Sequence, residues 1–494
     1  MHAIRSAAVT KASIAAADSI APNGSLVGRE APIDGERAHL ERNHLPLWKV
    51  SALGLAYMLI GPSSAMSAGT LIAFSARASW LANLLSVVVV SLLAVVVSAY
   101  ARRYVVTGSL VSYAYEAFGA RARLFVAACM MLGYVALTAT LILGVLTFTS
   151  SALLDLGIPG ASNLPVECAS AIIISLAAAA CACFGIDASV RVVVVLGFLC
   201  VPFVALAMGA ALVELHPLMN VQLHFATVSN GGIVQGALTA TGYYVGFDGI
   251  AALAVETKNP KRNVPRVLLS TVLTIGLAIT ACCFAQYPLL QAHAGELEAG
   301  ASPVAICAHA IGWNWLALVV DLLLVPAAFA ATVTIYNIGG RIIATTAVDG
   351  LLPARIGLVH PRFHAPVAAV VALAVVATTL TVLLQLALKT PPLLSSAYMA
   401  NLTTYYWLAP YLFVCIGILR ILRREGTRDV ATRGAAWISI AALLYGGIEM
   451  FRSPVDAGTT YLPYLAVVTI AGVVLAFLLT RREATMPESD IEQL

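Results

Sequence analysis

Residues 267–292 run for 26 positions without a single charged residue or histidine. About 20 apolar residues carry a helix across the hydrocarbon core of a bilayer, whereas an amphipathic helix in water shows charge every few positions. Stretches of the same kind recur from Val50 onward, separated by short charged connectors. They predict twelve spanning helices, over 50–76, 79–101, 124–153, 168–186, 190–213, 232–256, 267–290, 314–345, 366–388, 394–419, 434–452 and 460–480. With 60% hydrophobic and 11% charged residues, the chain has too little polar surface to cover so many helices in water. The expected fold class is therefore an all-α polytopic membrane protein.

The basic residues set an orientation. With the N-terminus placed in the cytoplasm, 25 of the 28 Lys and Arg fall on the cytoplasmic side, leaving only Arg77, Lys389 and Arg452 outside. Retention of basic residues on that side governs topology, so both termini are expected inside, in an inner or plasma membrane. The first 47 residues lack the apolar core of a signal peptide and read as a mobile cytoplasmic tail; 481–494 read as a second. The basic loop Lys258, Lys261, Arg262 and Arg266 lies beside the membrane, where anionic lipid is the expected neighbour, and no nucleic-acid partner is implied. None of the nine cysteines sits at zinc-ligand spacing from a histidine. They read as small hydrophobes, and no metal or cofactor is expected.

A spanning helix is interrupted only where the freed backbone is buried or lines a cavity. The first span contains Gly61-Pro62-Ser63-Ser64, in which Pro62 lacks a backbone donor. The sixth reads Thr241-Gly242-Tyr243-Tyr244-Val245-Gly246-Phe247-Asp248-Gly249. Each opens a set of five spans, and the two sets start on opposite sides of the membrane, as an inverted repeat requires. Paired Gly/Pro interruptions at matching places in two halves point to a transporter site. Asp248 is the acid placed deepest, and an intramembrane acid is costly and usually functional. It is expected to bind a substrate amine or carry a coupling proton. Asp321 and Glu449, nearer the outer ends of spans eight and eleven, are expected to be interfacial or paired.

Gly246-Phe247-Asp248 followed by Glu256-Thr257-Lys258-Asn259-Pro260 through Pro265-Arg266 closely resembles the sixth-span signature of the amino acid–polyamine–organocation (APC) superfamily. Arg102-Arg103-Tyr104 with Gly108-Ser109 to Phe118-Gly119 resembles its second loop. Arg341, Asp349-Gly350-Leu351-Leu352-Pro353 and His360-Pro361 resemble the exit of its eighth span. The resemblance implies a LeuT-type fold, with ten core helices in a 5+5 inverted repeat (about 50–213 and 232–424, within a core of 48–424) and two peripheral helices over 425–480. It also implies alternating-access transport of an amino acid or related amine, with a proton or sodium ion as the coupling candidates. By position, the family's substrate contacts fall on Gly61, Pro62, Ser63, Ser64, Tyr243, Tyr244, Gly246, Phe247 and Asp248, with Tyr243 or Tyr244 as the closing aromatic. Thr332 and Thr334 fall where a sodium site would draw hydroxyls. Gly61-Pro62-Ser63 departs from the usual Gly-Ser-Gly, Val105 stands for a common proline, and Cys200 occupies the fifth-span position of a lysine or acid in some relatives.

A transporter-like amino acid sensor would use the same features. A polytopic membrane enzyme is the rival from a different class, but the sequence holds no His-Glu-x-x-His motif and no P-loop. The expectation is a secondary-active transporter, as proton symporter or exchanger, and not an enzyme.

Overall fold

The computed structural model describes residues 46–104, 109–158, 160–184, 188–214, 219–224, 228–254, 257–348, 350–360, 363 and 365–480. The predicted tails up to residue 45 and from 481, and the motif residues Val105, Gly108, Glu256, Asp349, Pro361 and Arg362, lie outside them. Apart from an isolated bridge at Thr257, every regular element described is helical.

The order begins α1 (Leu47–Tyr57), α2 (Ile60–Ser75), α3 (Ser79–Ala101), α4 (Ser109–Phe118), α5 (Ala120–Asp155) and α6 (Leu164–Cys183). It continues with α7 (Ala188–Leu199), α8 (Val201–Glu214), α9 (Met219–Leu223), α10 (Asn230–Tyr244), a 3-10 helix (Phe247–Ala254), α11 (Pro260–Ala292), α12 (Ala294–Glu298) and α13 (Pro303–Ala310). The chain then runs through α14 (Asn314–Val348), α15 (Val367–Leu388), α16 (Pro392–Arg424), α17 (Val430–Arg452) and α18 (Ala457–Thr480). Among the described residues, ten helical stretches are long and apolar enough to cross a membrane. One of them, Leu47–Ala101, contains both α1–α2 and α3. The predicted sixth span does not count among the ten, because α10 and the 3-10 helix after it are each short.

Local chemistry explains the boundaries. Pro165, Pro260, Pro303 and Pro392 open α6, α11, α13 and α16 in the first turn, where the missing N–H has no helical partner to lose. The Ser229, Ser302 and Asp429 side chains cap α10, α13 and α17 by accepting backbone N–H groups at 3.0, 3.2 and 3.0 Å. Predicted span five is not continuous: α7 and α8 part at Cys200, two residues before Pro202.

Helices approach closely where side chains are small. A Cβ on Gly242 of α10 would lie 2.2 Å from the Ala400 carbonyl oxygen of α16, so this glycine serves packing rather than unwinding. At the periphery the logic reverses. Trp437, Ile448, Val468 and Leu479 of α17 and α18 point outward, and such a surface is stable against acyl chains. On the arginine-rich face, Arg103 just beyond α3 forms a bidentate pair with Glu425 just beyond α16, the nearest approach being 2.9 Å.

Candidate binding site

Two helices break inside the bundle. A helical N–H at position 62 would bond the Met58 carbonyl, but Pro62 has none. The chain leaves helical geometry at that point: α1 ends at Tyr57, and Leu59 adopts φ 55° and ψ 51°. The interruption, at Met58 and Leu59, thus falls three to four residues before the Pro62 that causes it. Ser63 Oγ donates to the freed Met58 oxygen at 3.2 Å, while Ser63 N bonds Leu59 O at 2.9 Å and starts the second half. Gly61, Pro62, Ser63 and Ser64 therefore form the first turn of α2, whose leading amides have no partner within the helix.

The second break follows Tyr244. Val245 is non-helical and Gly246 has φ 94°, a conformation that favours glycine. A 3-10 helix resumes at Phe247, with Gly249 N bonded to Gly246 O at 2.8 Å. The last carbonyls of α10 are left without helical donors.

The two breaks lie at matching depth. Ser75 Oγ at the end of α2 donates to Gly232 O at the start of α10, 2.8 Å away, so these helices are antiparallel neighbours. They hold 16 and 15 residues, about 24 and 22 Å at 1.5 Å per residue. Ile60 lies 15 residues and Tyr244 12 residues from the Ser75–Gly232 contact, about 22 and 18 Å, so the positive N-terminus of α2 and the negative C-terminus of α10 end within about one helical turn of each other.

The lining is tightly closed, with Ser63 7%, Ser64 5% and Tyr244 0% exposed. A Cβ on Gly61 would sit 2.2 Å from Cys200 Sγ, so the bend of span five packs directly on the α2 turn. Ser64 Oγ is buried without a hydrogen bond. Tyr244 Oη donates to Asn83 Oδ1 at 2.8 Å, and Asn83 Nδ2 donates to Gly276 O at 3.0 Å, which ties α10 through α3 to α11. Tyr243 is half-buried, and its hydroxyl has no hydrogen bond of normal geometry, although the Thr70 and Ser396 hydroxyls lie near it. Of the tyrosine pair, Tyr243 is thus the one left uncommitted.

Asp248 faces elsewhere. Its Oδ2 accepts from Ser109 Oγ of α4 at 2.7 Å, and its Oδ1 accepts from Tyr411 Oη of α16 at 3.4 Å. The Phe247 ring lies 6.0 Å from the Tyr411 ring. Gly246, Phe247 and Asp248 are therefore fixed against α16 and α4. Thr332 and Thr334 donate to the carbonyls four residues earlier, at 2.9 and 3.0 Å, as threonines in spanning helices commonly do. Ala330, one turn before Thr334, packs beside Leu59 at the first break. Asp321, expected to be interfacial or paired, is completely buried and bonded to Ser302.

The acids and glycines carried the sequence reading, and the amides were passed over. Gln286 Nε2 donates to Ala65 O at 3.2 Å and approaches Met208 Sδ at 3.6 Å, while its Oε1 is buried and unpartnered. Asn83 and Gln286 are polar side chains inside apolar runs, the same signal that drew attention to Asp248. Ser109 and Tyr411 carried no such mark, because only the fold brings them to the acid.

The branched-chain amino acid permease BcaP of Lactococcus lactis is 29% identical to this chain over 40% of this chain and 39% of its own length. The branched-chain permease of Bacillus subtilis is 26% identical over 53% and 58%, and the methylthioribose transporter of that organism 22% identical over 77% and 81%. The chain thus spans roughly two fifths to three fifths of the branched-chain relatives it matches. A manganese transporter from Eremococcus coleocola superposes with a TM-score of 0.54 over 90% of this chain and 98% of its own, at 11% identity, which relates the folds alone. That fold is of the LeuT type. The amino acid permease family profile matches residues 45–476, nearly the whole described chain, and on that ground this multi-pass membrane protein belongs to the amino acid permease family.

Proposed function

We propose that the chain carries a neutral, apolar amino acid across the membrane by alternating access, with the substrate held between the two broken helices. The observation that carries this reading is the pairing of opposite helix ends at one depth. The α2 N-terminus suits a carboxylate, through the leading amides of Ile60 and Gly61 and the unpartnered Ser64 hydroxyl. The α10 C-terminus suits an ammonium group, through the carbonyls from Gly242 to Val245. Tyr243 closes over the side chain. Phe247 and Asp248 act from behind, holding Gly246 in its strained conformation. The carboxylate of Asp248 is already bonded, and Met66, Cys200 and Met208 are apolar neighbours. An uncharged side chain therefore suits the space better than a cationic one, in keeping with the branched-chain relatives.

In this reading the chain has twelve spans. Each interrupted span opens a five-helix repeat within residues 48–424, and α17 and α18 are peripheral. The short helices α4 and α13 take equivalent places, each between the second and third span of its repeat, and serve as gates on opposite faces. The arginine-rich face with Arg103 and Glu425 is cytoplasmic, in the inner or plasma membrane, and so are both tails. Transport is proton symport or exchange; the back-bonded Thr332 and Thr334 keep lone pairs for sodium as the competing ion. The test is counterflow of radiolabelled amino acids in proteoliposomes of purified protein. Neutral branched amino acids should exchange and arginine should not. Binding without counterflow would identify a sensor instead.

A further inference from the structure

A second buried network lies at the face opposite the arginines, centred on Asp321 of α14. Asp321 is 0% exposed. Its Oδ1 accepts from Ser302 Oγ at 2.7 Å; the Ser151 hydroxyl lies nearby, and Oδ2 is buried without a hydrogen bond of normal geometry. Among the described residues no lysine or arginine pairs with it. The charged groups facing it are Asp155 at the end of α5 and His309 of α13, with Glu296 of α12 beyond, 4.0 Å from His309. Glu296 is itself bonded to His293 at 2.8 Å, and the thiols of Cys307 on α13 and Cys282 on α11 are buried.

The donor to Asp321 belongs to the start of α13. Ser302 caps α13, and its N–H donates to Ser151 Oγ of α5 at 2.8 Å. Pro303 presses on α2, where a Cβ on Gly69 would lie 2.5 Å from Pro303 Cγ. At the other end of α13, His309 Nε2 meets Asp155 Oδ1 at 3.3 Å. Four contacts thus fasten α13 against α2, α5 and α14, and one of them is the bond from Ser302 to Asp321.

A carboxylate anion sealed from water with one hydrogen bond is far more costly than a neutral acid in the same place. With α13 lifted, water reaches Asp321 and the anion becomes the stable form. We infer that Asp321 is a proton-binding site of the outer gate, taking up one proton when α13 closes and releasing it when α13 opens. The equilibrium is linked in both directions: acid favours the closed gate, and alkali favours the open one. It rests on the transport reading only for what the gate admits. His309 titrates with the same sign, because its hydrogen bond to Asp155 raises its proton affinity above the ordinary range and the pair weakens as pH rises. The two groups must therefore be separated by experiment.

Cys307 is a built-in reporter, fully buried in the middle of α13. Its alkylation by N-ethylmaleimide in purified full-length protein would be followed by mass spectrometry from pH 5 to 9, each rate divided by that of the denatured protein at the same pH. Wild type should show a normalised rate that rises with pH, by up to about tenfold per unit for one linked proton. Asp321→Asn should be slow and flat, Asp321→Glu should restore a slope, and His309→Gln should keep it. A wild-type slope retained in Asp321→Asn would overturn the assignment, as would a slope lost only in His309→Gln. Counterflow in the same preparations separates the two readings: a slope in a protein that carries no amino acid leaves the proton site standing and removes the transporter.

Discussion

Two aspartates, one toward each face, are both buried and both bonded to a serine on a short helix outside the spans, yet they are finished differently. Asp248 has a donor on each oxygen, from Ser109 of α4 and Tyr411 of α16. Asp321 has a donor on one oxygen only, from Ser302 of α13. Each donor missing from a buried carboxyl group adds to the cost of its charged form. In the proposed reading, repeat-related gates are therefore fastened differently: α4 to an acid with a donor on each oxygen, α13 to an acid that takes up a proton to close.

The largest effect should come from the ground between the gates. Ser63→Trp fills the α2 turn and should weaken amino acid binding at least about 100-fold, close to 3 kcal/mol, with the protein still folded; calorimetric titration of purified protein reads this directly. Unchanged affinity would place the substrate elsewhere and leave the gates with nothing between them. Gly242→Ala comes next. The added methyl meets the Ala400 carbonyl, so a loss of about 1–3 kcal/mol is expected from overpacking, seen as a lower Tm in detergent.

The comparison itself is sharpened by a matched pair of variants. Asp248→Asn replaces one of two accepting oxygens by an N–H donor that faces the Ser109 or Tyr411 hydroxyl and should cost about 1–2 kcal/mol. Asp321→Asn imitates the neutral acid and should leave Tm at neutral pH unchanged or raised. Equal losses in both would erase the distinction. The smallest effect is at the surface, where Arg103 hydrogen bonds hold the Glu425 carboxyl below its usual range. A depressed carboxyl contributes stability above that range and loses it as pH falls through the lowered value. Since the pair is partly exposed, Glu425→Gln should cost under about 1 kcal/mol, and the wild-type advantage in Tm should vanish in acid.

The helices were legible because a bilayer leaves so few choices: predicted spans such as 79–101 and 366–388 nearly coincide with α3 and α15. The interruption in span one was legible as chemistry but misplaced along the chain, because a proline acts on the carbonyl four residues before it. The surroundings of the aspartates were not legible. Ser109 precedes Asp248 by 139 residues and Tyr411 follows it by 163, and no local pattern marks a serine that only tertiary packing makes a donor. Asp321 was expected to be interfacial or paired; it is buried and bonded to Ser302, because α13 folds over that end of α14.

The account turns on opposite helix ends gripping opposite ends of one substrate, and analogues lacking either end test this most directly. Leucine, isoamylamine and 4-methylpentanoate would be titrated into purified protein by calorimetry under the same conditions. Losing a charge-assisted hydrogen-bond set at either end costs about 3 kcal/mol, so both analogues should bind about 100-fold more weakly than leucine. An analogue that binds as tightly as leucine would contradict the account, since one of the two broken helices would then be contributing nothing to the grip.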